Sequence, residues 1–152
     1  MTSPPASVSI RELRAGQSAE LLSTFGAVLS DFASKLVDDG RSTEDFLHDP
    51  QTFALVAHLD DEPAGLAWGV QLRYPTGRLV TYLHELDVVE RFRRRGVATA
   101  LVRHAMDLAR ERGSTRFWLS TGGHNEGAQA LYESLDGVRK PQGDVNYWWE
   151  LA

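Results

Sequence analysis

Cysteine is absent from the 152 residues. That removes disulfides, a cysteine-based zinc site and a thiol nucleophile together, and it accords with a reducing compartment. Long apolar runs are missing too. No stretch approaches the roughly 20 residues a membrane-spanning helix needs, and Met1 to Ser7 is polar, contains proline and lacks the apolar centre of a signal peptide. The chain is therefore expected in the cytoplasm, with no membrane partner. The five histidines (His48, His58, His84, His104, His124) include no i, i+4 pair, so no metal site is expected. An excess of positive charge is lacking, the net charge being −5, which argues against a general nucleic-acid binder. Neither a Gly-x-x-x-x-Gly-Lys-Ser/Thr loop nor a Gly-x-Gly-x-x-Gly turn is present.

What is present has the balance of a globular protein, with 42% hydrophobic and 24% charged residues. The length suits one domain, expected over residues 8–152 behind a flexible tail at 1–7. Charge is distributed unevenly. Nine acids stand against two bases between Asp31 and Glu62, and eight arginines stand against two acids between Arg91 and Arg116. Such a molecule has one end suited to an anion and another suited to a cation, unless the two blocks are simply solvated faces.

Periodicity predicts a strand at Val8–Leu13, then one kinked helix or two short ones over 17–37. Ser42 or Thr43 is expected to cap a short helix that Pro50 stops. Phe53–Leu59 and Ala64–Leu72 read as an antiparallel hairpin turning at Asp60-Asp61-Glu62-Pro63, and Leu79–Val89 as a further long strand. From Gly96 the apolar residues Val97, Ala98, Leu101, Val102, Ala105, Leu108 and Ala109 recur at helical spacing until Gly113. A short strand at 117–119, a helix over 126–135 and a closing strand at Val145–Leu151 complete a mixed α/β order, with an antiparallel first half and a βαβ second half. Of the adjacent Trp148 and Trp149, that strand would turn one inward and one outward.

The run Arg93-Arg94-Arg95-Gly96-Val97-Ala98-Thr99 lies between a strand and a helix. The first turn of a helix offers unpaired N–H groups and the positive end of the dipole, so it suits phosphate without special side chains. Gly96 permits close backbone approach, Ala98 keeps the turn uncrowded, and the arginines add charge. Solvated arginines before an ordinary helix would read the same way. The net acidity and the apolar face of that helix speak against a DNA-recognition helix.

A second element follows about thirty residues on, as Asn125-Glu126-Gly127-Ala128-Gln129-Ala130-Leu131-Tyr132. The pair of motifs, Arg-x-x-Gly-x-Ala and then Asn-x-x-Ala-x-x-Leu-Tyr, resembles the GCN5-related N-acetyltransferase (GNAT) superfamily, and the element order is similar from Val8 to Leu151. The resemblance implies a mostly antiparallel sheet of six to seven strands, splayed between strands 4 and 5 and flanked by about four helices. It implies acetyl-CoA as cofactor, with no metal, and a homodimer. Leu86, Asp87 and Val88 would pair their backbone with the pantetheine arm. The amides of Arg94 to Thr99 would hold the pyrophosphate, with Arg93 beside them, and Asn125 would touch the pantetheine or adenosine.

Tyr132 would protonate the departing thiolate, since a phenol's ordinary pKa of about 10 lies above a thiol's. Glu85 would be the base that relieves the amine of its proton, with Asp87 a close rival; strand alternation sets these two on one face and His84 on the other. The stretch Tyr82–Val89 and the earlier Thr52–Leu55 look like the type I aminoglycoside 3-N-acetyltransferases. That implies a small polycationic amine as partner, met by Asp31, Glu85 and Asp87. Asp136-Gly137-Val138 departs from that group's Leu-Gly-Phe or Leu-Gly-Ile ending.

Overall fold

A computed structural model describes residues 7–140 and 147–151. The expected tail thus lies outside the described residues except for Ser7. The chain falls into two compact units, Met1–Ser120 and Thr121–Ala152.

The first unit carries β1 (Val8–Glu12), α1 (Ser18–Val28), α2 (Phe32–Lys35), α3 (Arg41–His48), β2 (Thr52–Leu59), β3 (Glu62–Arg73), β4 (Leu79–Val88), a 3-10 turn (Glu90–Phe92), α4 (Val97–Glu111) and β5 (Arg116–Leu119). The sheet runs in the order β1-β2-β3-β4-β5, antiparallel throughout except for the parallel pair β4–β5. The long helical pattern over 17–37 resolves as the two short helices α1 and α2.

Residues opposite one another across a ladder share a face, and each face has its own cover. Ala54 and Val56, with Leu13 and Leu21, form a buried cluster packed by Phe25, Phe46, Leu47 and Trp68, so α1 and α3 cover that side. The other side is covered by α4, whose Val97, Leu101, Val102, Ala105, Leu108 and Ala109 are buried. Six of the seven residues expected on that face are buried, and Ala98 is half-buried. Fully burying a side chain such as Leu101 is worth about 1.5–3 kcal/mol, so this stripe anchors α4 without help from its caps.

Gly65 sets how closely α4 approaches. A Cβ there would lie 2.7 Å from the Asp87 carbonyl oxygen and 3.2 Å from Val97 Cγ1. The absence of a side chain lets the first turn of α4 settle on β3 beside β4.

Several expectations are corrected. The α3 cap is neither Ser42 nor Thr43. Gly40 stands at the N-cap with φ +103, and the Asp38 carboxylate accepts from the N–H groups of Gly40 (2.9 Å) and Ser42 (3.2 Å). The left-handed glycine curls the chain back so that an acid two residues earlier reaches the orphan donors. The hairpin turn contracts to Asp60 and Asp61, both with positive φ, and β3 already begins at Glu62. Two left-handed residues match the twist of the flanking strands.

The second unit contains α5 (Glu126–Ser134). Its end is closed by Asp136 at φ +64, with the Gly137 N–H donating to the Tyr132 carbonyl at 2.9 Å. A Cβ on Gly137 would lie 2.7 Å from that carbonyl. The departure at 136–137 is thus a helix stop in which the acid takes the left-handed position and glycine the crowded one. The closing strand is not observed. Residues 145–146 lie outside the described ones, and Tyr147–Leu151 carry no strand geometry. Trp148 and Trp149 are both exposed, at 79% and 75%. Alternation of faces requires a ladder, and no described residue pairs with this segment. Five strands and five α-helices therefore stand among the described residues.

Candidate active site

The site of the first unit begins at a flaw in β4. The ladder of β3 with β4 pairs Trp68 with Glu85 but Gly69 with Leu83, so His84 is an extra residue. A Cβ on Gly69 would collide with the Tyr82 carbonyl and with the Phe53 ring. Glycine makes this bulge possible, and the bulge re-aims the side chains around it. His84 was expected on the face opposite Glu85. It stacks instead on Trp68, with ring centroids 4.4 Å apart at 14°, while the Trp68 Nε1–H donates to Glu85 Oε2 at 2.6 Å. Both side chains therefore meet the same indole. Alternation failed as a guide because it assumes an unbroken ladder.

Pairing between β4 and β5 stops at the same place. It runs from Val80↔Arg116 to Leu83↔Leu119, and β4 continues to Val88 with no described strand on that side. This is the expected parting of strands 4 and 5. The Val89 N–H donates to the Ala64 carbonyl at 2.8 Å, which sets the phase of the β3–β4 ladder. Asp87 and Val89 address β3, and Leu86 and Val88 turn their backbone groups toward the open side.

Glu85 and Asp87 point the same way and interact. Burial, then a side-chain hydrogen bond with Glu85 and its charge, push the Asp87 carboxyl up to about 7; Arg93 and Lys35 pull it the other way. Its Oδ2 is buried and has no hydrogen-bond partner among the described residues. The raised Asp87 carboxyl thus sits beside Glu85 as its hydrogen-bonded neighbour.

Beyond β4 the chain makes its 3-10 turn over the buried Phe92. The guanidinium of Arg91 lies 4.4 Å above that ring, and Arg91 also pairs with Glu62 at 2.6 Å. Arg94 and Gly96 both take left-handed φ, +62 and +82. The helix α4 then starts with no side-chain cap, and the first closing bond is from the Ala100 N–H to the Gly96 carbonyl. The N–H groups of Arg94, Arg95, Gly96, Val97, Ala98 and Thr99 find no acceptor among the described residues. Six orphan donors with a dipole behind them have the chemistry to suit an anion. Arg93, Arg94 and Arg95 are exposed and form no ion pair among those residues.

Two predicted residues have local partners that explain their identity. Asp31 pairs with Lys35 at 3.3 Å one helical turn away. Asn125 is the N-cap of α5, its Oδ1 accepting from the Ala128 N–H at 3.1 Å. Tyr132 is half-buried on α5 in the second unit. The residue missed by sequence reasoning is Trp68. Gly69 inside a strand, next to the tryptophan, was the available signal for a bulge beside it.

A family model described as the acetyltransferase (GNAT) family matches residues 20–137. The chain belongs to that family. GNAT acetyltransferases use acetyl-CoA, and the residues here fit such a cofactor: free amides for a diphosphate, and an unpaired strand edge for an amide-bearing arm. Similar proteins include a streptothricin acetyltransferase of Streptomyces lavendulae, 32% identical over 98 residues, which is 64% of this chain and 49% of that protein. The chain spans between 35% and 60% of the length of the curated relatives it matches. Among solved structures, an aminoglycoside acetyltransferase from an uncultured soil metagenomic sample is 26% identical with TM-score 0.82, over 95% of this chain and 99% of that one. An aminoglycoside N-acetyltransferase AAC(6')-Iy in complex with CoA shares the fold at TM-score 0.78 and 18% identity, over the whole of both chains. Among the described residues no helix is long and apolar enough to cross a membrane, and no cluster of three metal-ligating side chains occurs.

Proposed function

We propose that this GNAT chain transfers acetyl from acetyl-CoA to a primary amine of a small polycationic acceptor, an aminoglycoside, at the 3-N position. The observation that carries the transfer reading is the set of unengaged amides from Arg94 to Thr99, next in sequence to a β4 edge that no described strand covers. In this reading those amides and the nearby arginines hold the diphosphate. Leu86 and Val88 offer backbone groups to the pantetheine amides, and Asn125 adds a contact to the cofactor.

Acetyl-CoA supplies an acyl group already activated as a thioester. What the protein must add is orientation and two proton movements. Glu85 takes the proton of the attacking amine as the new C–N bond forms, and Tyr132 gives a proton to the sulfur as the C–S bond breaks. Asp87, whose carboxyl is pushed up to about 7, hydrogen-bonds Glu85 and leaves it as the acceptor. Support for the acceptor class is the acidity of Asp31–Glu62 together with the likeness to aminoglycoside and streptothricin acetyltransferases. The 3-N position rests on the sequence resemblance alone.

The test is a free-thiol assay with purified protein, acetyl-CoA, and a panel of aminoglycosides, polyamines, amino acids and short peptides, with product masses and NMR assignment of the modified nitrogen. Glu85→Gln and Tyr132→Phe are each expected to lower kcat by roughly a hundredfold, the low end for loss of a general acid or base. Coenzyme A binding should be retained in both. Turnover confined to peptide N-termini would refute the acceptor, acetylation at another amine would refute the position, and full rates in both variants would refute the residue roles.

A further inference from the structure

Trp68 sits on β3 with each part of its indole engaged. The Phe46 ring of α3 meets it edge-on at 5.6 Å, the His84 ring lies flat against it at 4.4 Å, and the N–H points at Glu85 Oε2 at 2.6 Å. The contact with His84 exists only because the β4 bulge brings an additional residue to this face. Asp87, two residues further along, has a buried oxygen with no donor. The two carboxyls are therefore placed asymmetrically. Glu85 receives a fixed neutral donor, and Asp87 does not.

We propose that Trp68 is a positioning residue: its N–H, aimed by the His84 and Phe46 rings, holds the negative charge of the carboxyl pair on Glu85 and leaves the shared proton on Asp87. The inference rests on the acetyl-transfer reading for its consequence, but the arrangement itself is a property of the free protein. A donor to an ionised carboxylate favours the charged form more than the neutral one. With the indole in place, the carboxyl that stays ionised is the one oriented by a rigid ring, which is what a base needs to meet an amine reproducibly. Other charged groups that act on the pair are Lys35 of α2 and Arg93 after the 3-10 turn, both drawing Asp87 toward ionisation. His84 faces the indole rather than the carboxyls. The donor that discriminates between the two acids is thus Trp68.

Two measurements test this. In wild-type protein without ligands, the Trp68 indole N–H resonance and the side-chain carboxyl carbon resonances of Glu85 and Asp87 are followed by NMR from pH 5 to 9. The indole signal should exchange slowly and titrate with the same midpoint as the carboxyls. An indole signal indifferent to pH, or in rapid exchange with water, would overturn the proposal. In Trp68→Phe, which keeps an aromatic ring and loses the donor, the pair should take up its proton at higher pH. The acidic limb of kcat/KM then moves up by about one pH unit, a tenfold lower rate on the limb and none on the plateau, as expected for losing one charge-assisted bond. A uniform loss at every pH would mark a merely structural role, and an unchanged profile would likewise refute the assignment. A protein whose indole titrates as described but which acetylates no amine would overturn the acetyl-transfer reading and leave the positioning role standing.

Discussion

Replacing Asp87 by asparagine isolates the energetic consequence of the carboxyl pair. The native carboxyl is pushed from an ordinary value of 3.8 to about 7, chiefly by burial and by Glu85. A group raised in the folded state binds its proton more tightly there than in the unfolded chain. The stabilisation it brings is complete below about pH 4 and disappears as pH rises through about 7. A rise of that size would correspond to about 4 kcal/mol if the site were dry. Asp87 is only half-buried, and solvent screening reduces the expected span to about 1–2 kcal/mol. Asparagine mimics the protonated acid at every pH, so Asp87→Asn removes this slope.

The quantity to follow is the stability difference between variant and wild type, measured by urea denaturation or calorimetry from pH 4.5 to 7.5. The variant should gain on the wild type steadily with pH, by roughly 3–6 °C in Tm over the range for a chain of this length. Differencing cancels the titration of groups common to both proteins. Parallel curves, with a constant offset throughout, would refute the account of Asp87 as a buried, proton-holding partner.

Gly96→Ala meets no steric obstacle, since nothing lies within 4 Å of the added carbon, but φ is +82. The left-handed strain should cost about 1 kcal/mol and weaken coenzyme A binding several-fold by calorimetry, because the donors of the α4 turn are displaced. Arg112 ties the end of α4 to β1 and β2, donating to Glu12 Oε1 at 2.6 Å and to the Thr52 carbonyl at 2.8 Å. Arg112→Ala leaves the largely buried Glu12 with the more distant Arg14 guanidinium at 3.4 Å and should lower stability by about 1–2 kcal/mol in a thermal melt, with coenzyme A affinity unchanged.

Legibility in the sequence followed the regularity of each element. The face of α4 was readable because seven apolar residues keep one period from Val97 to Ala109, and a packed helix must obey it. The amides at Arg94–Thr99 were readable because a strand, a glycine and an uncapped helix suffice to define them. What escaped notice depends on irregular backbone. The bulge at His84 reverses the face of one residue, and only tertiary pairing across β3 shows it. Asp38 rather than Ser42 caps α3 because Gly40 adopts a conformation that composition alone does not announce. The aromatic run Tyr147–Trp149 looked like a strand by residue type, with one tryptophan turned inward, yet a strand depends on a partner, which residue type does not supply.

In the proposed reaction the free amides and the carboxyl pair act together, and the two glycines of β3 bear on how each is placed. Gly65 lets Val97 and Leu101 of α4 press on the sheet beside the Asp87 carbonyl, which brings the orphan amides to the end of β4. Four residues along the same strand, Gly69 admits the bulge at the level where the β4–β5 pairing stops and where Glu85 meets Trp68. One glycine sets the height of the helix and the other the break in the ladder. Between them lie Leu66, Ala67 and Trp68, about 13 Å of extended chain from glycine to glycine at roughly 3.3 Å per residue. A side chain at Gly65 would press on the Asp87 backbone as well as on Val97 and Leu101 of α4, and one at Gly69 would press on the Tyr82 backbone and the Phe53 ring. The fold therefore fixes the spacing of the two halves through backbone approach, not through any side chain that itself takes part in the chemistry.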